Sequence, residues 1–210
     1  MRAVNVVIVD YSAGNLRSVE RAVARAGFEP LISGHPEDVA AADVVIVPGQ
    51  GAAADTMRNL RERALVEPIR EHIAAGRPFL GVCMGLQALL TVSEEGGEHE
   101  CLGVIPGRVR RLPKGLKVPH MGWNRVQQRR PHPVFDGIPD GSYFYFVHSY
   151  YPDPEDGSVV LGEVEYGLTF TCAVAVDSLV ATLFHPEKSG ELGLRLYANF
   201  LTRFQRRGGL

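Results

Sequence analysis

Pro78-Phe79-Leu80-Gly81-Val82-Cys83-Met84-Gly85-Leu86-Gln87 (PFLGVCMGLQ, residues 78–87) is the stretch from which the rest of the chain can be read. Pro78 to Val82 is an apolar run that reads as a strand, and Met84 to Thr91 reads as the helix behind it. Between them stands one cysteine with glycine at the −2 and +2 positions. A sharp strand-to-helix turn that presents one reactive side chain crowds the backbone on both sides. Glycine relieves that crowding because it has no Cβ. At a helix start, Cys83 would also see the positive end of the helix dipole, which favours thiolate. Read alone, the pentapeptide fits a nucleophile elbow or a small buried cysteine between two structural glycines.

Upstream, Val4 to Val9 (VNVVIV) is β-branched and nearly all apolar, the pattern of a strand buried on both faces of a parallel sheet. The turn Tyr11-Ser12-Ala13-Gly14-Asn15 follows. Leu16, Val19, Val23 and Ala26 then recur at helical spacing until Gly27 stops the helix. Glu29 to Ile32 and Asp43 to Val47 read as the next strands, the latter closed by Pro48-Gly49-Gln50-Gly51. Residues 53–75 read as helix with a break near Pro68, ended by Gly76 and Pro78. This strand–helix repetition predicts a doubly wound, mostly parallel α/β sheet. After residue 95 the texture changes, and strand-like runs at 103–111, 142–147, 158–165, 170–176 and 179–184 predict added antiparallel strands. Residues 189–205 read as a closing helix with Leu192, Leu196 and Phe200 on one face, and Arg206-Arg207 as favourable charge at its end.

The 210 residues fit a single domain spanning 1–210. The formal net charge of −2 lacks the basic excess of a nucleic-acid binder. Three cysteines without paired spacing give no disulfide framework and no zinc pattern, which suits a reducing, cytoplasmic setting. The N-terminal apolar run stops at Asp10, and no segment approaches the roughly 18 apolar residues of a membrane span.

A cysteine nucleophile needs a base, and the base needs an orienting acceptor. His185-Pro186-Glu187 supplies both types after the apolar run Leu179 to Phe184. In an extended segment residues i and i+2 point the same way, so His185 and Glu187 could meet. Read alone, the tripeptide also fits a surface turn. Acyl transfer needs an oxyanion hole. The Met84 N–H is one natural donor, and the loop Pro48–Gly51 could offer another, although by itself it also fits an ordinary strand-to-helix turn. Both would lie at the carboxyl edge of the sheet, where ligand sites of α/β folds fall. Cys83, His185 and Glu187 are chemically possible metal ligands, but no paired spacing supports a metal site. No phosphate-binding loop is present.

Taken together, Gly81 to Gln87, His185-Pro186-Glu187 and Pro48-Gly49-Gln50-Gly51 resemble the class I (triad) glutamine amidotransferases. With Asp10, Gly14-Asn15-Leu16, Met121-Gly122-Trp123-Asn124, Tyr145 to Tyr150 and Lys188 added, the chain is similar to the glutaminase subunits of imidazole glycerol phosphate synthase. The resemblance implies a flavodoxin-like sheet and hydrolysis of glutamine through a glutamyl thioester. Cys83, His185 and Glu187 would be the triad, with backbone oxyanion donors at Met84, Gln50 and Gly51. Gln87, His148, Ser149 and Tyr150 would bind glutamine. Asn15, Trp123, Tyr145 and Lys188 would face a (β/α)8-barrel cyclase subunit that receives the ammonia. No cofactor is implied. Gln50 stands where some relatives carry valine, but both flanking glycines are kept. The same chemistry would serve the glutaminase of pyridoxal phosphate synthase. A redox-sensing Cys83 on the same scaffold would need neither His185 nor Glu187.

Overall fold

The computed structural model describes residues 4–12 and 14–205, and Arg206-Arg207 lies outside them. The chain alternates β1 (Val6–Val9), α1 (Leu16–Arg25), β2 (Pro30–Ser33), α2 (Pro36–Ala41), β3 (Val44–Val47), α3 (Ala53–Glu62), α4 (Val66–Ala74), β4 (Phe79–Val82) and α5 (Met84–Gln87). There follow β5 (Val92–Ser93), β6 (His99–Glu100), β7 (Gly107–Arg111), β8 (His120–Gln128), β9 (Ser142–His148) and β10 (Tyr150–Pro154). β11 (Val160–Glu165), β12 (Thr169–Val176), β13 (Leu179–Thr182) and α6 (Gly190–Gln205) complete it. No helix among the described residues is long and apolar enough to cross a membrane.

A nine-stranded sheet runs in the order β2-β1-β3-β4-β13-β12-β11-β8-β9. Its first five strands are parallel, and from β13 onward each neighbour is antiparallel. The parallel part therefore has the flavodoxin-like order, with additional antiparallel strands from the C-terminal half. A second sheet, β10-β7-β5-β6, covers one side. The parallel strands other than the edge strand β2 are buried on both faces, which is why they read as continuous apolar runs. Val6, Ile8, Val44, Ile46, Leu80 and Val82 point into a core shared with α1, α6 and the antiparallel strands. Val7, Val9, Val45, Val47 and Phe79 point the other way, against α2, α3 and α4.

Several boundaries differ from those expected. The break in residues 53–75 falls at Arg63-Ala64-Leu65, with Ala64 at φ +54°, and not at Pro68. Pro68 is the third residue of α4, where the backbone N–H has no intrahelical partner to lose. α2 was not expected, because six residues carry too little periodicity to read. α5 stops at Gln87, well short of Thr91. The carbonyls of Ala88, Leu89 and Leu90 instead accept from Leu102, Gly103, Val104 and Ile105 at 2.8–2.9 Å. The same bonds explain why the strand expected over 103–111 begins only at Gly107. β8 and β10 were also unexpected. β8 is a nine-residue strand with only two fully buried positions, so its sequence lacks an apolar alternation. β10 contains Pro152 and Pro154, which an edge strand tolerates.

One close approach fixes the last helix. A Cβ on Gly193 of α6 would overlap the Pro186 carbonyl oxygen. Gly193→Ala is therefore expected to destabilise the fold by about 1–3 kcal/mol through overpacking. Gly157→Ala, whose Cβ would meet nothing within 4 Å, should stay within about 0.5 kcal/mol of wild type. Urea unfolding of both variants checks the contrast.

Candidate active site

Register places three chain ends side by side. Val47 of β3 pairs with Gly81 of β4, and Val82 of β4 pairs with Thr182 of β13. The segments that leave these strands, Pro48–Gly51, Cys83 and Leu183–His185, thus emerge at one carboxyl edge of the sheet.

Cys83 sits at φ +54° and ψ −99°, a conformation that L-residues rarely adopt. Its N–H donates to the Thr182 carbonyl at 2.7 Å, and its carbonyl accepts from Leu86 and Gln87 at 3.0 Å. Both flanking glycines are sterically required. A Cβ on Gly81 would lie 2.8 Å from the Gly85 backbone, and one on Gly85 would overlap the Val47 carbonyl oxygen. This is the geometry of a nucleophile elbow. The helix behind it is a single turn of four residues, so the helix dipole contributes less at Cys83 than a full helix would.

His185 follows β13 and is buried. Its Nδ1 lies 2.8 Å from Glu187 Oε1, with both side chains only 2% exposed. The two do not meet by extended alternation. Pro186–Lys188 form a 3-10 turn that folds Glu187 back under the ring. The turn is clamped: Ser189 Oγ donates to the His185 carbonyl at 2.6 Å and accepts from the Tyr145 N–H at 3.0 Å. The His185 N–H donates to the Tyr145 carbonyl at 2.9 Å. With Nδ1 donating to the carboxylate, Nε2 is the ring atom left to give or take a proton, and it has no hydrogen-bond partner among the described residues. Burial is the largest influence on the imidazole and pulls its pKa down. The Cys83 thiol and the Glu187 carboxylate outweigh it together and raise the pKa to about 9.

A cavity of about 340 Å³ opens at this edge. It gathers Gln50, Gly51, Cys83, Met84, Gln87, Tyr145, His148, Ser149, Tyr150, His185 and Lys188, all singled out from the sequence. Glu187 lies behind His185 and outside the lining. Gln87 is buried, and its Oε1 has no partner among the described residues, so an acceptor stands ready at the cavity wall. His148 is different. Its Nδ1 donates to the Tyr150 carbonyl at 2.9 Å, and its Nε2 lies 2.9 Å from His120 Nδ1, so both polar atoms are committed to the protein. Burial pulls its pKa to about 3 and that of His120 to about 4, so both rings are neutral.

Two expected residues lie elsewhere. Asn15 caps α1, its Oδ1 accepting from Ser18 N at 3.3 Å, and lines a separate cleft with Asp10 and Leu31. Trp123 lies on β8, 55% exposed, with its ring edge-on to Tyr145 at 6.1 Å. The sequence reading missed Glu95, Pro119 and Val147 in the cavity wall and Tyr11 beneath the loop Pro48–Gly51. Glu95 stands in a short irregular segment with no pattern to mark it. Its carboxylate accepts from the Ala53 N–H at 2.7 Å. Cys101 and Cys172, like Cys83, are free and buried.

Residues 7–204 match the glutamine amidotransferase class-I family. The imidazole glycerol phosphate synthase subunit HisH of Dehalococcoides mccartyi (strain CBDB1) is 48% identical over 195 residues, covering 93% of this chain and 95% of that one. The subunit of the same name from Syntrophotalea carbinolica is 50% identical over 202 residues, covering 93% and 98%. That from Herpetosiphon aurantiacus is 49% identical over 203 residues, covering 97% and 96%. Among solved structures, a crystal structure of a glutamine amidotransferase superposes with a TM-score of 0.71 at 22% identity, covering 95% of this chain and 98% of that one. PurLQS from Thermotoga maritima superposes at 0.73 and 17% identity, covering 96% and 99%. At these identities the structural likeness speaks for the fold alone.

The His185 environment gives a signed pH dependence. A pKa raised on folding from 6.5 to about 9 adds stability that is fully present below 6.5 and is lost as pH rises through 9. In Glu187→Gln the burial that lowers the pKa is opposed by less, so the imidazole should titrate well below the wild-type value and the alkaline loss of stability should shrink. Histidine NMR titration and urea unfolding across this range check both. An unchanged pKa in the variant would show that the carboxylate does not hold the imidazolium.

Proposed function

The chain belongs to the class I glutamine amidotransferase family, and from that premise we propose that it is the glutaminase subunit of an imidazole glycerol phosphate synthase. In this reading residues 1–210 work as one cytoplasmic amidotransferase domain. It hydrolyses glutamine to glutamate and ammonia and hands the ammonia to a (β/α)8-barrel cyclase subunit in histidine biosynthesis. The observation that carries the reading is the orientation of His185: Nδ1 on Glu187 at 2.8 Å, and an unpartnered Nε2 in the cavity that Cys83 lines.

The Cys83 proton is held on His185 Nε2, as the raised pKa of that ring favours, and Cys83 Sγ attacks the side-chain amide carbon of glutamine. The C–S bond forms, and the amide oxygen becomes an oxyanion held by the backbone N–H groups of Met84 and of Gln50 or Gly51. As the C–N bond breaks, His185 returns the proton to the leaving nitrogen, and ammonia departs from a glutamyl thioester. His185 Nε2 then takes a proton from water, whose oxygen attacks the thioester carbon. The C–S bond breaks, glutamate leaves, and the proton restores the Cys83 thiol. Glu187 stays ionised throughout. It fixes the imidazole tautomer and offsets the positive charge on the ring. The unpaired Gln87 Oε1, with the wall Ser149-Tyr150, would hold the substrate's polar ends.

The partner-facing surface is read as the exposed apolar side chains of β8, Met121 and Trp123, with Tyr145 edge-on to Trp123, whereas Asn15 and Lys188 are assigned to it by the family resemblance alone. Tyr145 and Lys188 also line the cavity, so they stand between the reacting centre and that surface.

Glutamate release should be measured from the chain alone and from the chain with a cyclase subunit and its nucleotide ligand. Release is expected chiefly in the mixture. Cys83→Ala and His185→Asn should each cost at least about 10³-fold in kcat, and Glu187→Gln about 10²- to 10⁴-fold. No release by wild type in either condition would overturn the reading. Full activity in Glu187→Gln would remove Glu187 from the triad.

A further inference from the structure

The geometry points to Tyr11 as a positioning residue for glutamine hydrolysis: its hydroxyl pins the loop Pro48–Gly51 at the Pro48 carbonyl, so that the loop is free to turn only from the peptide bearing the Gln50 N–H onward. The inference rests on the glutaminase reading above and deepens it.

Tyr11 leaves β1 and is fully buried beneath the loop that leaves β3. Its Oη donates to the Pro48 carbonyl at 2.8 Å. A Cβ on Gly49 would lie 2.5 Å from Tyr11 Oη and would overlap the Met84 side chain. Gly49 is therefore wedged between the phenol and the first residue of α5, whose N–H is a proposed oxyanion donor. One residue later the surroundings change. Gln50 is exposed, and Gly51, at φ +107°, would meet nothing within 4 Å if it carried a Cβ. The loop thus has a held half, Pro48-Gly49, and a loose half, Gln50-Gly51. The peptide joining them carries the Gln50 N–H and sits at the cavity mouth.

A hinge needs a fixed side, and Tyr11 supplies it. Without the hydroxyl, the Pro48 carbonyl would lose its donor and could seek another, turning the Pro48–Gly49 peptide and with it the next one. Burial is the largest influence and pushes the phenol pKa well up against a smaller lowering from the Thr56 side chain, so Tyr11 remains a neutral donor wherever the enzyme works. Its own segment is anchored as well. The Asp10 N–H donates to the Ser33 carbonyl at 2.8 Å, Asp10 Oδ1 accepts from Ser12 N at 2.8 Å, and Arg63 donates to Ser12 Oγ. Tyr11 does not line the cavity, so it acts on the oxyanion through the loop and not on the bound substrate.

The test is Tyr11→Phe, which removes one oxygen, studied in the complex with the cyclase subunit and its nucleotide ligand. The expected result is a fall in kcat of about 10-fold or more with KM for glutamine within about twofold. Amide exchange at Gly49, Gln50 and Gly51 should quicken while exchange in α6 stays as in wild type. Placing 4-aminophenylalanine at position 11, which keeps an N–H donor at the same ring position, should recover most of kcat. It also serves if the Phe variant folds poorly. Ser12→Ala, which disturbs the same segment without touching the loop, should keep wild-type kcat. Wild-type kcat in Tyr11→Phe overturns the proposal. So does a raised KM at unchanged kcat, or quickened exchange throughout the protein. The exchange measurement needs no turnover, so a wild-type complex that released no glutamate would sink the glutaminase reading while still deciding whether Tyr11 holds the loop.

Discussion

A cysteine at φ +54° is the constraint that the rest of this molecule accommodates. Such a backbone costs of the order of 1–3 kcal/mol and persists only where its neighbours leave no alternative. Here they leave none. The N–H of Cys83 is held by β13 through Thr182, and its carbonyl is held by the turn of α5. Gly85 is pressed on the last carbonyl of β3, and Gly81 on the backbone of Gly85. Three neighbouring parallel strands are needed to make this turn. The presentation of Cys83 is therefore a product of the sheet order β3-β4-β13 as much as of the pentapeptide. The same order delivers the loop Pro48–Gly51 on one side of the thiol and His185 on the other.

The buried histidines show how a partner decides what burial does. His185, His148 and His120 are all withdrawn from water. For each, desolvation is the leading influence and opposes the charged ring. His148 and His120 have only neutral hydrogen-bond partners, and their pKa values fall to about 3 and about 4. His185 has a carboxylate 2.8 Å from Nδ1 and Cys83 acting on the ring as well, and it rises to about 9. Positive charge is thereby confined to one of the three rings, while the other two serve as neutral polar struts.

The parallel half of the fold was legible because its inner strands are buried on both faces and so spell apolar runs such as VVIV at 6–9 and at 44–47. The elbow was legible because steric necessity left two glycines at fixed offsets. The antiparallel half was less so. β8 (HMGWNRVQQ) is exposed along most of its length, and the partner strands that make it a strand lie 14 or more residues away. The length of α5 was hidden for a similar reason: Leu102 to Ile105 take the carbonyls the next turn would have used. His185 and Glu187 were paired correctly by type. Their geometry comes from a 3-10 turn that extended alternation does not describe. Tyr11 left no mark, because its role rests on a hydrogen bond to a carbonyl 37 positions on.

The strut formed by His120 and His148 has a direction. Asn124 Nδ2 lies 3.3 Å from His120 Nε2, His120 Nδ1 faces His148 Nε2, and His148 Nδ1 donates to the Tyr150 carbonyl. Two neutral histidines have several tautomeric combinations between them, and only one satisfies every link of this chain. The Tyr150 carbonyl, which can only accept, dictates them in sequence back to the amide of Asn124. The wall of the cavity and the exposed strand of Trp123 are thus joined by a line of protons with a single permitted polarity. A carboxylate in place of the Asn124 amide would put an acceptor where a donor stands. The line could then be completed only if one of the two rings, His120 or His148, carried a charge. An edit at the rim of the molecule would be felt as an ion pair in its interior, where a neutral chain had stood.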